Sequence, residues 1–212
     1  MKAREQLVVF GAGGHAKVVL DIIERQGVYA IAGLLDDDVK HQGKRFFGYP
    51  VLGTRAELPA LLSAELRHAV VTIGDNASRA AVAAFMQQLG WIFASAVHPS
   101  ASISRGAEIG PGSVVMAGCV VNADAYVGRQ VIINTGATVD HDCRVEDAVH
   151  IAPGCHLCGG VNVGPGSFLG AGSAVTPGVR IGAKAVIGAG STVIRDVADG
   201  ARVSGSPARA LD

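Results

Sequence analysis

The chain has 212 residues, enough for one large domain or two small ones with a real core. Its 18 Lys and Arg equal its 18 Asp and Glu, and no basic block stands out, which argues against a nucleic-acid partner. Nowhere do 18 apolar residues run unbroken, and the opening MKAREQLVVFGAGG lacks an apolar segment with a cleavage site, so a cytoplasmic protein without membrane insertion is expected. In that compartment the four cysteines, Cys119, Cys143, Cys155 and Cys158, are expected to be free thiols. Aromatics make up only 5%, whereas the 29 glycines concentrate in an array after position 100, so small side chains must fill much of the interior.

Residues 1 to about 95 read as alternating strands and helices. LVVFG is a short apolar run closed by glycine, as in a buried parallel strand. AKVVLDIIERQG has helical spacing, with Val18, Val19, Ile22 and Ile23 on one side and Gly27 as C-cap. YAIAGLLDDD reads as a second strand ending in three acids. YPVLGT is a short strand or turn, and AVVTIGDN a further strand. SRAAVAAFMQQLG reads as a helix, with Ser78 as N-cap and Gly90 after it. This order predicts a small open α/β sheet of the Rossmann kind.

From Val97 the period changes to six. Val97, Ile103, Ile109, Val115, Val121, Val127, Ile133, Val139, Val145, Ile151, Leu157, Val163, Leu169, Val175, Ile181, Ile187 and Val193 are all aliphatic. Two residues before each, from Ala101 to Ser191, only Ala, Ser, Cys or Val occurs. A strict hexad fits a parallel β-helix of triangular coils, three hexads to a coil, with the aliphatic residue inside and the small one at a crowded corner. Residues 97–198 then supply between five and six coils.

That frame separates inside from outside. TVDHDCRVEDAVHIAPG carries His141 two residues beyond an interior valine, at a turn, between Asp140 and Asp142. Its equivalents one coil away, Ala123 and Gly159, leave space around it. A carboxylate beside an imidazole fixes its tautomer and raises its basicity, as a general base needs; Asp142 is the better placed and Asp140 the alternate. The competing reading is a solvated turn histidine. His150 faces outward between the equivalents Ile132 and Phe168. Cys155-x-x-Cys158 near His150 and His156 resembles a zinc site, but three of the four cysteines fill small-residue corners, so no metal is expected. In the first half, Gly11, Gly13 and Ala16 satisfy G-x-G-x-x-G/A between strand and helix, with Asp36 about 20 residues on. The α/β half is too short for two mononucleotide units, which favours a single nucleotide moiety.

VVFGAGGHAKVVLDII, LLDDD, VTIGDN with Arg79, VHPSA, INTGATVDHDC and VSGSPAR, in that order, resemble bacterial sugar acetyltransferases of the NeuD/PglD type. The resemblance covers nearly the whole chain. It implies an α/β Rossmann-like nucleotide-sugar domain at 1–95, then an all-β left-handed parallel β-helix with a C-terminal tail at 96–212. The activity it implies is transfer of acetyl from acetyl-CoA to the 4-amino group of a UDP- or GDP-linked 4-amino-4,6-dideoxy sugar. It further implies His141 as base, Asp142 as its acid partner, and His150 on acetyl-CoA. Ala171 and Ala189 fall along the pantetheine groove. Gly13, Gly14 and His15 hold the nucleotide sugar, Asp36 and Asp37 lie near its base and ribose, and Gly74 makes a backbone contact. The family's assembly is a homotrimer with active sites between neighbouring β-helices, consistent with outward apolar residues at Val114, Val120, Ile132 and Val149. Rival readings are a sialic acid O-acetyltransferase, a hydratase whose metal is held by His141, His150 and His156, and a non-catalytic nucleotide-sugar sensor.

Overall fold

The computed structural model describes residues 4–211, and their contacts divide the chain into two compact units, residues 1–99 and 100–212. In the first unit β1 (Glu5–Phe10) leads into α1 (Gly14–Gln26), β2 (Tyr29–Leu35), β3 (Arg45–Phe46) and β4 (Tyr49–Gly53). A short α2 (Leu58–Ser63), β5 (His68–Val71), α3 (Asn76–Gln88) and β6 (Ile92–Phe93) complete it. Among the described residues they form a six-stranded sheet in the order β3-β4-β2-β1-β5-β6. It is parallel except where β3 and β4 make a hairpin.

The inner strands β1 and β5 are apolar because the sheet is covered: Leu7, Val8 and Val9 in β1 and Val70 and Val71 in β5 are fully buried. Helix α1 ends at Gly27 in the left-handed conformation expected of a C-cap, with φ 67°. Its buried stripe is Ala16, Val19, Leu20, Ile22 and Ile23. Val18, expected on that side, is 42% exposed, because Val18, Val19 and Leu20 follow one another and cannot all lie on one helical face. Helix α3 starts three residues earlier than the sequence suggests. Its N-cap is Asp75, whose carboxylate accepts from the N–H of Ser78 at 2.8 Å, so Ser78 lies inside the first turn.

The second unit is a parallel β-helix of two-residue strands. The interior aliphatic is the second residue of each strand, from Ser102–Ile103 to Thr192–Val193, and strands 18 residues apart pair in register. From Val115 to Val193 these residues are at most 2% exposed. Ile103 is 36% exposed because it lies in the first coil, with a coil stacked on one side only. One face carries the outward residues Val114, Ile132, His150, Phe168 and Val186; the second carries Ser102, Val120, Thr138, His156, Ala174 and Thr192; the third carries Glu108, Tyr126, Arg144, Asn162 and Arg180. The chain ends in a hairpin of Arg202–Gly205 with Ala208–Ala210.

Glycine serves two purposes in these coils. At every sixth corner position the backbone is left-handed, as at Gly136 (φ 68°) and Gly154 (φ 65°). Gly164 and Gly170 instead allow backbones to approach: a Cβ on either would lie 2.5 Å from the nitrogen of Ala183 or Ala189. The sequence reading of outward apolar residues needs correction. Val149 occupies the small-residue corner slot and is fully buried in the prism, and Val114 and Ile132 are each 1% exposed within this chain. Val120 remains half-buried on its face, and Phe168 is 37% exposed.

Candidate active site

The acid-flanked histidine lies on the corner that follows the strand Thr138–Val139. His141 Nδ1 and Asp142 Oδ2 are 2.7 Å apart. Asp140 serves the other side: its Oδ1 accepts from the backbone N–H of His141 and from Nδ2 of Asn122 one coil away, both at 2.8 Å. The two acids are therefore distinct. Asp142 fixes the imidazole, whereas Asp140 fixes the turn that presents it. The hydrogen bond that His141 donates to Asp142, followed by the charge of Asp140, raises the pKa of His141. Asp140 itself is lowered, by the His141 N–H first and by Asn122 second.

Two further features show that the chain accommodates this imidazole. Asp142 has φ 58° at a corner position that glycine usually fills, a conformation that costs an L-residue roughly 1–2 kcal/mol. Asp tolerates it better than most residues, and here its carboxylate is used. One coil on, a Cβ at Gly159 would lie 2.6 Å from Cε1 and 2.7 Å from Nε2 of His141. Gly159 is thus the vacancy into which the ring extends. The side chains of His141 and Asp142 remain 62% and 68% exposed, open to a reactant.

On the first face, His150 pairs in register with Ile132 and Phe168. Phe168 meets it edge-on with ring centroids 5.2 Å apart, and Nδ2 of Asn134 lies 3.3 Å from its Nε2. An amide N–H donor at Nε2 leaves the imidazole proton on Nδ1 when the ring is neutral. Ala171 and Ala189 stack at the next corner, exposed, joined through the Gly190 N–H and the Ala171 carbonyl at 2.8 Å.

In the first unit, Gly13, Gly14, His15, Asp36 and Gly74 share a cleft of about 390 Å³ at the carboxyl ends of β1 and β5. Gly11 is required by the fold, since its φ is 113° and a Cβ would lie 2.9 Å from Thr72 Oγ1. Gly13 and Gly14 differ: a Cβ on either meets nothing within 4 Å, so no packing inside the chain asks for glycine there. Gly13 caps α1 without a side-chain hydrogen bond, so the helix N-terminus, which favours an anion, opens on this cleft with no side chain over it. Asp36 accepts from the Ala12 N–H at 2.6 Å and the Asp38 N–H at 2.7 Å, so it braces the glycine loop. Asp37 lies outside the cleft lining and pairs with Arg55, whose Nε donates at 2.7 Å.

Asn122, Asn134 and Arg79 bond to these groups, and no sequence signal singled them out as doing so. Only the 18-residue coil spacing could have pointed to Asn122, one coil before Asp140. A larger groove of about 670 Å³ opens on the third face, but neither His141 nor His150 lines it. Cys155 Sγ points at the Leu169 and Gly170 carbonyls, as a corner filler would. Among the described residues no group of three or more His, Cys, Asp or Glu is placed to hold a metal. Among them also, no helix is long and apolar enough to cross a membrane.

Comparison with known proteins finds relatives of the same two-part fold. The PglD N-terminal domain matches residues 6–85, and the bacterial transferase hexapeptide (six repeats) matches residues 160–195. A perosamine N-acetyltransferase from Caulobacter crescentus, solved as a histidine variant with CoA and GDP-perosamine, is 41% identical. The match covers 99% of this chain and 98% of that one, with a TM-score of 0.95. The acetyltransferase domain of PglB from Neisseria gonorrhoeae FA1090, in complex with acetyl coenzyme A, is 39% identical over 99% of this chain and 100% of that one, with a TM-score of 0.91. A UDP-N-acetylbacillosamine N-acetyltransferase from Bacillus subtilis is 36% identical over 121 residues, 53% of this chain and 52% of that relative, so the match spans about half of each.

A left-handed parallel β-helix of hexapeptide coils, with an imidazole–carboxylate pair on one corner, makes this protein a hexapeptide-repeat acyltransferase. Within that class, the whole-length match shows that the chain belongs to the NeuD/PglD-type family of bacterial sugar acetyltransferases.

Proposed function

We propose that the protein transfers the acetyl group of acetyl-CoA to the 4-amino group of a nucleotide-linked 4-amino-4,6-dideoxy sugar. The 2.7 Å pairing of His141 Nδ1 with Asp142 carries this reading. It leaves Nε2 as proton acceptor, beside the gap at Gly159. The sugar amine attacks the thioester carbonyl carbon while His141 takes its proton; the C–S bond then breaks, and the CoA sulfur leaves with that proton returned from the imidazolium. Asp142 stabilises the charged ring in between. The N–H of Gly159 takes part in no hydrogen bond among the described residues and suits the oxyanion of the tetrahedral intermediate. The thioester is already activated, so no covalent acyl-enzyme is needed.

Acetyl-CoA is assigned His150 and the exposed corner of Ala171 and Ala189. The nucleotide sugar is assigned Gly13, Gly14, His15 and Gly74, with Asp36 and Asp37 at the sheet edge beside them. This divides the chain into a nucleotide-sugar domain at 1–95 and an acetyltransferase domain at 96–212. One whole-length relative was solved with GDP-perosamine and the half-length relative is named for a UDP-sugar, so both carriers are candidates. A cytoplasmic homotrimer fits acetyl-CoA and a nucleotide sugar as substrates, and Val120 and Phe168 are apolar outward residues for subunit contact.

Thiol release from acetyl-CoA, with GDP- and UDP-linked 4-amino sugars and with free sialic acid, tests the proposal. Release with an amino sugar, lowered about 10²–10⁴-fold in His141→Ala, is expected. Release only with sialic acid would move the enzyme to O-acetylation, and an unchanged rate in His141→Ala would remove the base.

A further inference from the structure

The most deeply buried cation in the described chain serves the nucleotide cleft without lining it. Arg79, in the first turn of α3, is 1% exposed. Its Nη1 donates to the carbonyls of Ile73 and Gly74, both at 3.0 Å, and its Nη2 to Asn76 Oδ1 at 2.7 Å. Burial pulls its pKa down to about 10, with Asp75 opposing. A guanidinium is costly to place here. Helix α3 itself gains no core contact from a charged head, since Val82, Ala83 and Met86 supply its apolar face.

The carbonyls it holds belong to the loop that walls the cleft, where Thr72, Ile73 and Gly74 stand opposite Gly13 and Gly14. In a trans peptide the C=O of one residue and the N–H of the next point in opposite directions. Drawing the carbonyls of Ile73 and Gly74 onto the guanidinium therefore turns the N–H groups of Gly74 and Asp75 away from it. Neither N–H takes part in a hydrogen bond among the described residues. We infer that Arg79 is a positioning residue for the nucleotide: it locks two peptide planes so that the Gly74 and Asp75 N–H groups present donors to acceptor oxygens of the nucleoside diphosphate. This rests on the nucleotide-sugar reading above. It adds a residue that touches no ligand and acts only through the loop.

Titration calorimetry with GDP and UDP, together with steady-state kinetics, tests it in the wild type, Arg79→Lys and Arg79→Gln. Lys keeps a charged donor for the two carbonyls but gives up the fork to Asn76. Nucleotide Kd and the KM for the nucleotide sugar are expected to rise roughly tenfold or more in Arg79→Gln, and by less in Arg79→Lys. The KM for acetyl-CoA and kcat should stay within about twofold in both. Variants that bind nucleotide as tightly as wild type would overturn the inference. Hydrogen exchange on the wild type tests it without a variant, since GDP or UDP should slow exchange at the Gly74 and Asp75 amides. Nucleotide bound with those amides unprotected would sink the role of Arg79 alone. Wild type that binds neither nucleotide would sink the nucleotide-sugar reading and this inference with it.

Discussion

Gly159→Ala separates the fold from the chemistry, because the added methyl meets the imidazole. The three atoms nearest to a Cβ at this position all belong to the His141 ring, at 2.6, 2.7 and 3.2 Å. Ordinary carbon contacts lie at about 3.5–4.0 Å, so the ring must retreat by about 1 Å. If it moves directly away from the methyl, it is drawn off the productive geometry, and the 2.7 Å bond to Asp142 stretches toward the limit of a hydrogen bond. A displacement of that size costs on the order of 10²-fold in rate. Stability should not follow. The histidine side chain is 62% exposed and free to swing, and Gly159 is not in the left-handed region, so alanine is an allowed residue there. Removing a glycine contributes about 0.4–1 kcal/mol through the unfolded chain. Thiol-release kinetics and a thermal melt on the same preparation read both quantities. The expected result is a kcat reduced about 10²-fold at an unchanged or slightly higher Tm. A kcat within threefold of wild type, or a loss matched by a fall of many degrees in Tm, would refute the argument.

Asp142→Asn should move the acidic limb of the kcat/KM profile to lower pH and lower its plateau. In the proposed mechanism the base works unprotonated, so activity should be lost as pH falls through a His141 pKa that the Asp142 hydrogen bond, and then Asp140, hold above its ordinary value; a limb that stays in place would disconnect the pair from the rate. Burial raises the Cys143 thiol to about 11 and shifts Cys119 and Cys155 upward. An aromatic disulfide reagent at pH 8 should therefore react in the native protein only at half-buried Cys158, and at all four free cysteines after unfolding; fast native reaction at Cys143 would contradict its corner placement. Ile151→Ala should cost about 2–5 kcal/mol by denaturant titration, because its side chain is fully buried between coils; a cost below about 1 kcal/mol would mean the prism relaxes around the cavity.

The position of His141 and Asp142 is legible before any coordinates because the hexad is so strict. With an aliphatic residue every six positions, His141 could only be at a corner and His150 only outward, and the strands at 138–139 and 150–151 place them so. Where the period was weaker, the reading slipped. In α1 a run of apolar residues concealed that Val18 faces outward. In α3 Ser78 reads as the N-cap but Asp75 takes that place, because both residue types cap well and the sequence gives no distances. Val149, read as outward, lies in the two-before-aliphatic slot that makes it an interior filler. The short α2 and the β3–β4 hairpin carry too few residues to show a period of their own.

The sequence by itself determined the coil, its contents and the residue types at its corners, since a period of six in one linear array fixes which side chains share a face. It favours Asp142 over Asp140 as the partner of the imidazole but could not show what the second acid does. Asp140 and Asp142 are equally near in sequence, and only the left-handed turn at Asp142 and the reach of Asn122 across a coil give one the ring and the other the backbone. Nor could it show that Asp36 braces Ala12 or that Arg79 bonds the wall of the glycine-loop cleft. These are contacts between segments whose spacing obeys no repeat, and only folding brings them together.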